Sequence, residues 1–93
     1  MDFVLISSKH FQKQFNELDE NYKRLIKSKL DLAKQNPYRF KALKIKNHKL
    51  FRIRLTINSK EVRLIYKVLE PNVIILCLLE RKKDYKDLRK YLQ

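Results

Sequence analysis

Glycine is absent from the 93-residue chain, and cysteine occurs once. The absence of glycine excludes the glycine-rich loops that cradle phosphates in P-loop and dinucleotide-binding folds, because those loops need backbone without a Cβ atom. The single cysteine, Cys77, cannot form an intramolecular disulfide, and its place in the apolar run 73–79 predicts a small buried hydrophobe. The two histidines, His10 and His48, have no second histidine or thiol at ligand spacing, so no metal or cofactor is predicted.

Long apolar runs are also missing. The stretch from Phe3 to Ile6 is far shorter than the core of a signal peptide, and no other run approaches the length that crosses a bilayer. The chain is therefore expected to be cytoplasmic, with no membrane partner. Its composition is 44% hydrophobic, which is enough to fill one core, so residues 1–93 are predicted to form a single domain.

The charge balance is strongly positive. The chain carries 23 Lys and Arg against 10 Asp and Glu, a formal net charge of +13. Such a field concentrates polyanions around a protein and speeds their capture. Nucleic acid is the first partner to consider, although a membrane surface or an acidic protein would satisfy the same electrostatics. The placement of the cations in the fold is needed to distinguish between these partners.

The N-terminal part of the chain has the pattern of one strand and two helices. Residues 2–7 resemble a short strand, and Ser8 is a suitable N-cap for a first helix. Asp19 is a suitable N-cap for a second helix. Asn36 precedes Pro37 and ends that helix, because a residue before proline is pushed out of helical geometry.

From Phe40 onward the apolar residues alternate, as they do in strands. The predicted strands span 42–44, 50–57, 62–69 and 73–79, with turns at 58–59 and 71–72. The last of these strands is apolar on both faces, which is typical of a central strand. The predicted fold class is α+β, with two N-terminal helices packed on a small, mostly antiparallel sheet that ends in a meander, and with a short C-terminal helix within 81–93.

The informative cluster lies in the hairpin around residues 58–59. A two-residue turn there places Arg54 directly opposite Arg63, with Arg52 two residues along the same face. Like charges that face each other across a sheet destabilise it, and a bound phosphate would relieve the repulsion. The alternative is that these arginines form a solvated sheet face, or pair with a nearby carboxylate.

Further positive charge follows the last predicted strand. Arg81 follows the strand closely and is expected to place a guanidinium at the end of the sheet. Tyr85 follows four residues later. An aromatic ring in that position either stacks on a base of single-stranded RNA or packs the last helix onto the core. The other predicted RNA contacts are Lys60, Lys82, Lys83 and His48. For His48, a solvent-exposed position in the loop before the long strand is the alternative.

Taken in order, these motifs resemble the RelE/ParE toxins of type II toxin–antitoxin pairs. The resemblance covers nearly the whole chain and rests on SKHFQKQFNELD, AKQNPY, LFRIRL, VRLIYKV and LLERKKDY. It implies a ribosome-dependent endoribonuclease that cleaves messenger RNA in the A site by attack of the ribose 2′-OH on the adjacent phosphate, with no metal required. It also implies three partners, which are the ribosome, messenger RNA and a cognate RelB-like antitoxin, expected to be acidic.

The same resemblance implies roles for the basic residues. Arg63 and Arg81 would stabilise charge on the reacting phosphorus, Arg52 and Arg54 would hold RNA phosphates, and Tyr85 would orient the nucleotide. Several relatives use Lys, Glu or His to accept the 2′-OH proton, but a guanidinium stays protonated and does not do so readily. The acceptor is then sought among Lys82, Lys83, Tyr85 and Glu80, or the reaction depends mainly on electrostatics and alignment.

Two alternatives keep the fold and change the function. A ParE-like toxin inhibits DNA gyrase by binding it and cleaves no RNA. A non-catalytic module would bind RNA or the ribosome with a steep salt dependence and release intact strands. The convergence of three arginines on one face favours the nuclease.

Overall fold

Two helices cover one face of a five-stranded sheet. The structure, a computed structural model, describes residues 2–45 and 48–80. Its elements are β1 (Val4–Ser7), α1 (Lys9–Asn16), α2 (Glu20–Gln35), a 3₁₀ turn (Pro37–Arg39), β2 (Lys41–Ile45), β3 (His48–Ile57), β4 (Lys60–Leu69) and β5 (Asn72–Glu80). The predicted α+β class and the order of elements are confirmed, whereas the predicted C-terminal helix lies outside the described residues.

The sheet has the strand order β1-β5-β4-β3-β2. The strands β2 to β5 form the predicted antiparallel meander, and β1 joins the far side of β5 in parallel. Strand β5 therefore lies in the interior of the sheet, between β1 and β4, although the middle position belongs to β4. This placement explains why the sequence of β5 is apolar on both faces.

The helices begin and end close to the predicted residues. Ser8 Oγ accepts a hydrogen bond from the backbone N–H of Phe11 at 3.0 Å and donates one to the carbonyl of Leu76 at 2.7 Å, so it caps α1 and joins it to β5. Asp19 occupies the N-cap position of α2, as predicted, although its side chain makes no capping hydrogen bond. Asn36 is extended and ends α2 before Pro37. Within the described ranges, no helix is long and apolar enough to cross a membrane.

The main core lies between the helices and the sheet face that they cover, called here the helix face. Its buried side chains are Phe11, Ile26, Leu30, Ala33, Phe51, Ile53, Leu55, Ile57, Val62, Leu64, Tyr66, Val73 and Ile75. Tyr66 is fully buried, donates its hydroxyl hydrogen to the carbonyl of Pro37, and stacks on Phe51 with ring centroids 5.4 Å apart. Burial also raises the pKa of Tyr66.

A second group of buried side chains lies on the opposite side of the sheet, called here the second face. It consists of Leu50, Ile65, Leu76, Cys77 and Leu79. Cys77 is fully buried, as the sequence predicts, and burial raises its pKa to about 12. The second face therefore carries its own apolar region, next to which the basic residues of β3 and β4 are placed.

Candidate nucleic-acid interface

The hairpin of β3 and β4 has the predicted two-residue turn. Asn58 and Ser59 have φ values of 51° and 64°, so both occupy the left-handed region, and Ile57 pairs with Lys60 across them. Two positive φ values in a two-residue hairpin are typical of a type I′ turn, which matches the twist of the flanking strands. The hydroxyl of Tyr22 accepts a hydrogen bond from the backbone N–H of Asn58 at 3.0 Å and joins this turn to α2.

The turn fixes the register that brings the arginines together. Arg54 pairs directly with Arg63, as predicted, and Arg52 pairs with Ile65. Every second side chain of β3 from Phe51 to Ile57 is buried in the helix-face core, so Arg52 and Arg54 between them lie on the second face. Arg63 lies on the same face because it pairs with Arg54. We call Arg52, Arg54 and Arg63 the arginine cluster.

The three arginines differ in exposure. The side chain of Arg54 is 60% exposed, whereas Arg52 and Arg63 are half-buried and Arg63 Nε is inaccessible to solvent. Guanidinium groups donate paired hydrogen bonds that fit phosphate oxygens, and partial burial strengthens such contacts. The cluster is thus a cationic surface with one guanidinium reaching into solvent and two held closer to the sheet.

A carboxylate lies on the same face. Arg54 Nε and Glu61 Oε1 are 3.3 Å apart. Pairing with a nearby carboxylate was the alternative interpretation of these arginines, and the structure shows such a pair for Arg54. Glu61 and Arg63 are two residues apart on one strand and therefore share a face, and this spacing could have predicted the contact of Glu61 with Arg54. A half-exposed ion pair of this kind contributes about 0 to 1 kcal/mol, so a phosphate can compete with the carboxylate for Arg54.

Lys60 and Glu80 lie on the other side of the sheet. Val62 pairs with Glu80 in the ladder and is buried under the helices, and Lys60 precedes it by two residues. Lys60 Nζ and Glu80 Oε1 are 3.9 Å apart. The structure therefore separates Lys60, a predicted RNA contact, from the arginine cluster, and it directs Glu80, a candidate proton acceptor, away from it.

The remaining predicted site residues divide into two groups. His48 was placed in a loop by the sequence analysis, but it is the first residue of β3 and pairs with Ile45. The other predicted residues, Arg81, Lys82, Lys83 and Tyr85, lie outside the described residues. In residues 2–45 and 48–80, no group of three or more His, Cys, Asp and Glu side chains is arranged to hold a metal ion.

Helix α1 holds the end of β5 beside the arginine cluster. Gln14 Nε2 donates to the carbonyl of Leu78 at 2.9 Å, and Gln14 Oε1 accepts from the backbone N–H of the same residue at 2.7 Å. The Gln14 side chain thus bonds to the edge of β5 as a neighbouring strand would, at a position beyond the end of β1. Because Leu79 pairs with Arg63, this contact also supports the cluster.

A two-helix layer on one face of a mixed five-stranded sheet, with the arginines of a hairpin on the opposite face, defines the class of RelE/ParE-like toxins. The family model that matches the chain describes the ParE toxin of type II toxin–antitoxin system, parDE, and it spans residues 5–85. The chain belongs to this family, and the resemblance derived from the sequence motifs is confirmed. It is a toxin of a toxin–antitoxin system.

Solved structures of an Escherichia coli toxin share the fold. A doubly substituted RelE toxin in the free state is 21% identical, with a TM-score of 0.77 over all of both chains. The intact RelBE toxin–antitoxin complex matches at 21% identity and a TM-score of 0.70, over 87% of this chain and 99% of that chain. The isolated RelE toxin matches at 20% identity and a TM-score of 0.70, over 98% and 99% of the two chains. No curated protein matches the sequence.

Proposed function

We propose that this toxin is a ribosome-dependent endoribonuclease that cleaves messenger RNA in the ribosomal A site. The observation that carries the proposal is the direct pairing of Arg54 with Arg63, with Arg52 beside them on the same face. An enzyme that cleaves RNA must stabilise the negative charge that grows on the phosphate in the transition state, and preorganised cations do this effectively. The fold shared with the RelE structures supports the same activity.

The reaction uses the RNA as its own nucleophile. The 2′-oxygen forms a bond to the adjacent phosphorus, the bond from phosphorus to the 5′-oxygen breaks, and the products carry a 2′,3′-cyclic phosphate and a 5′-hydroxyl. The 2′-hydroxyl gives up a proton and the leaving 5′-oxygen gains one. Arg63 stabilises the phosphorane oxygens, while Arg52 and Arg54 hold neighbouring phosphates. Arg81 and Tyr85 are proposed to complete the site, with Lys82 and Lys83 as further RNA contacts.

A cognate antitoxin is the second proposed partner. In E. coli, RelE forms the RelBE toxin–antitoxin complex, and the present chain shares the fold of that toxin. An acidic antitoxin suits a chain with a net charge of +13, because opposite charges speed association and favour the correct partner. Neutralisation of the second face by such a partner would keep RNA from the arginine cluster.

Primer extension on a translated messenger RNA tests the proposed activity. We expect the wild-type toxin to produce new 5′ ends on transcripts that occupy ribosomes and none on the same transcripts without ribosomes. A single 2′-deoxy substitution at the cut site should abolish the cleavage there, because it removes the nucleophile. Cleavage that persists at the deoxy site, or no cleavage on ribosomes, would rule out this mechanism.

The second candidate function is inhibition of DNA gyrase, favoured by the match of the family model for the ParE toxin. A gyrase inhibitor binds the topoisomerase and leaves RNA intact. A supercoiling assay with stoichiometric toxin separates the two functions: the nuclease proposal predicts normal supercoiling together with cleaved messenger RNA, and the ParE-like alternative predicts the reverse.

A further inference from the structure

The second face carries a further cation on β2, an edge strand of the sheet. Lys41 on β2 pairs directly with Arg52 on β3, and residues paired across an antiparallel ladder point to the same face. Lys41 is exposed. The basic surface therefore begins one strand earlier than the arginine cluster and extends across β2, β3 and β4.

The arrangement of these cations follows a path across the sheet. Lys41 lies opposite Arg52, Arg54 follows two residues along β3, and Arg63 lies opposite Arg54. Neighbouring strands are about 5 Å apart, so the two outer strands of this path are separated by about 10 Å. A chain of successive phosphates fits cations distributed in this way better than one small anion does.

A matched lysine occurs on the opposite face of the same strand. Lys44 is exposed and lies opposite Lys49 in the same ladder. It therefore resembles Lys41 in residue type, strand, exposure and cross-strand cation. Lysines on an edge strand also discourage pairing with other chains, and that role does not depend on the face. The two lysines differ in the face of the sheet on which they lie, so a role in RNA binding on the second face should belong to Lys41 and not to Lys44.

We propose that Lys41 binds a phosphate of single-stranded RNA beside the one held by Arg52, and thereby positions the RNA across the arginine cluster. Lys41 is a positioning residue, and this inference rests on the proposed RNA-directed function of the second face. Its ammonium group acts as a point charge toward phosphate, so arginine at this position should serve as well for binding.

The test measures binding of a short, fully 2′-deoxy-substituted oligonucleotide to the purified toxin across a salt series. Because this probe cannot be cleaved by 2′-OH attack, the measurement does not depend on nuclease activity. We expect Lys41→Ala to weaken binding about fivefold at low salt and to reduce the slope of log affinity against log salt by about 0.7, the loss of one phosphate contact with a single strand. Lys44→Ala should change the affinity less than about twofold, and Lys41→Arg should restore the wild-type slope.

Three outcomes would overturn the inference: an unchanged slope for Lys41→Ala, an equal loss for Lys44→Ala, or no salt-dependent binding by the wild type. Circular dichroism of each variant shows whether the fold is intact. Primer extension with the same wild-type preparation reports the proposed function separately, since a toxin that binds the probe through Lys41 and cleaves nothing on ribosomes would refute only the nuclease.

Discussion

Arg54 and Arg63 lie directly opposite each other in the β3–β4 ladder, and Glu61 contacts Arg54 from the same face at 3.3 Å. Two guanidinium groups at paired positions destabilise a sheet by some tenths of a kcal/mol, and a single half-exposed carboxylate offsets part of that repulsion. A phosphate that enters the cluster meets both arginines and must displace Glu61 from Arg54. In the proposed function, the ion pair would therefore compete with an RNA phosphate for Arg54.

Removal of the Glu61 charge should strengthen RNA binding. We expect Glu61→Gln to raise the affinity for a short single-stranded oligonucleotide about threefold at low salt, because Arg54 no longer has a competing anion. Glu80→Gln removes the same charge from the helix face and is the matched control. Equal gains for the two variants in a fluorescence anisotropy titration would show that only net charge matters and would contradict the competition.

The absence of glycine has a cost at the hairpin turn. Ser59 has a φ of 64°, a conformation that disfavours residues with a Cβ atom and that glycine adopts freely. We expect Ser59→Gly to raise the free energy of unfolding by about 0.5 to 1 kcal/mol. Ser28→Gly, at an exposed position within α2, should lower it by about 0.5 kcal/mol. Urea denaturation measures both, and a destabilised Ser59→Gly would contradict the strain at this turn.

Gln14 should contribute more to stability than an ordinary exposed glutamine. Its amide makes two hydrogen bonds with the backbone of Leu78 in a partly buried position, whereas the amide of Gln12 makes an exposed bond to the carbonyl of Ser7. We expect Gln14→Ala to lower the free energy of unfolding by about 1 to 2 kcal/mol and Gln12→Ala to lower it by about 0.5 kcal/mol or less. Equal losses of unfolding free energy for the two variants in urea denaturation would show that the two hydrogen bonds of Gln14 to β5 add no stability beyond that of an exposed glutamine.

The buried thiol should make the fold sensitive to alkali. Burial raises the pKa of Cys77 from 9.0 to about 12, so between these values the native state keeps a proton that the unfolded state has lost. Stability therefore falls as pH rises above about 9, with a slope of about 1.4 kcal/mol per pH unit from this group. Cys77→Ala should lose less stability than the wild type between about pH 8 and about pH 10.5. Parallel pH profiles for the two proteins would contradict this account.

The fold follows from local sequence signals to a large extent. Ser8, Asn36 and the alternation of β3 and β4 predicted the elements and the faces of these two strands correctly, because each signal acts within a few residues. The pairing of Arg54 with Arg63 was also predictable, since a two-residue turn at Asn58 and Ser59 fixes the register of the whole hairpin.

Contacts that depend on the position of separate elements were not predictable in the same way. The pairing of Lys41 with Arg52 depends on the connection between β2 and β3, whose length does not follow from the sequence pattern. Lys60 was predicted to contact RNA, but it lies two residues before Val62 on β4, and this spacing places it on the helix face. The contact of Gln14 with Leu78 joins residues far apart in the chain, and no local sequence pattern predicts it.

The proposed stabilisation of the transition state of RNA cleavage by the arginine cluster is tested most directly by the cleavage rate on messenger RNA-programmed ribosomes. Arg63→Ala is compared with Arg24→Ala, which removes the same charge from an exposed position of α2. We predict a fall in the single-turnover rate of about 100-fold or more for Arg63→Ala and a change of less than about twofold for Arg24→Ala. A folded Arg63→Ala variant that cleaves at the wild-type rate would contradict the account.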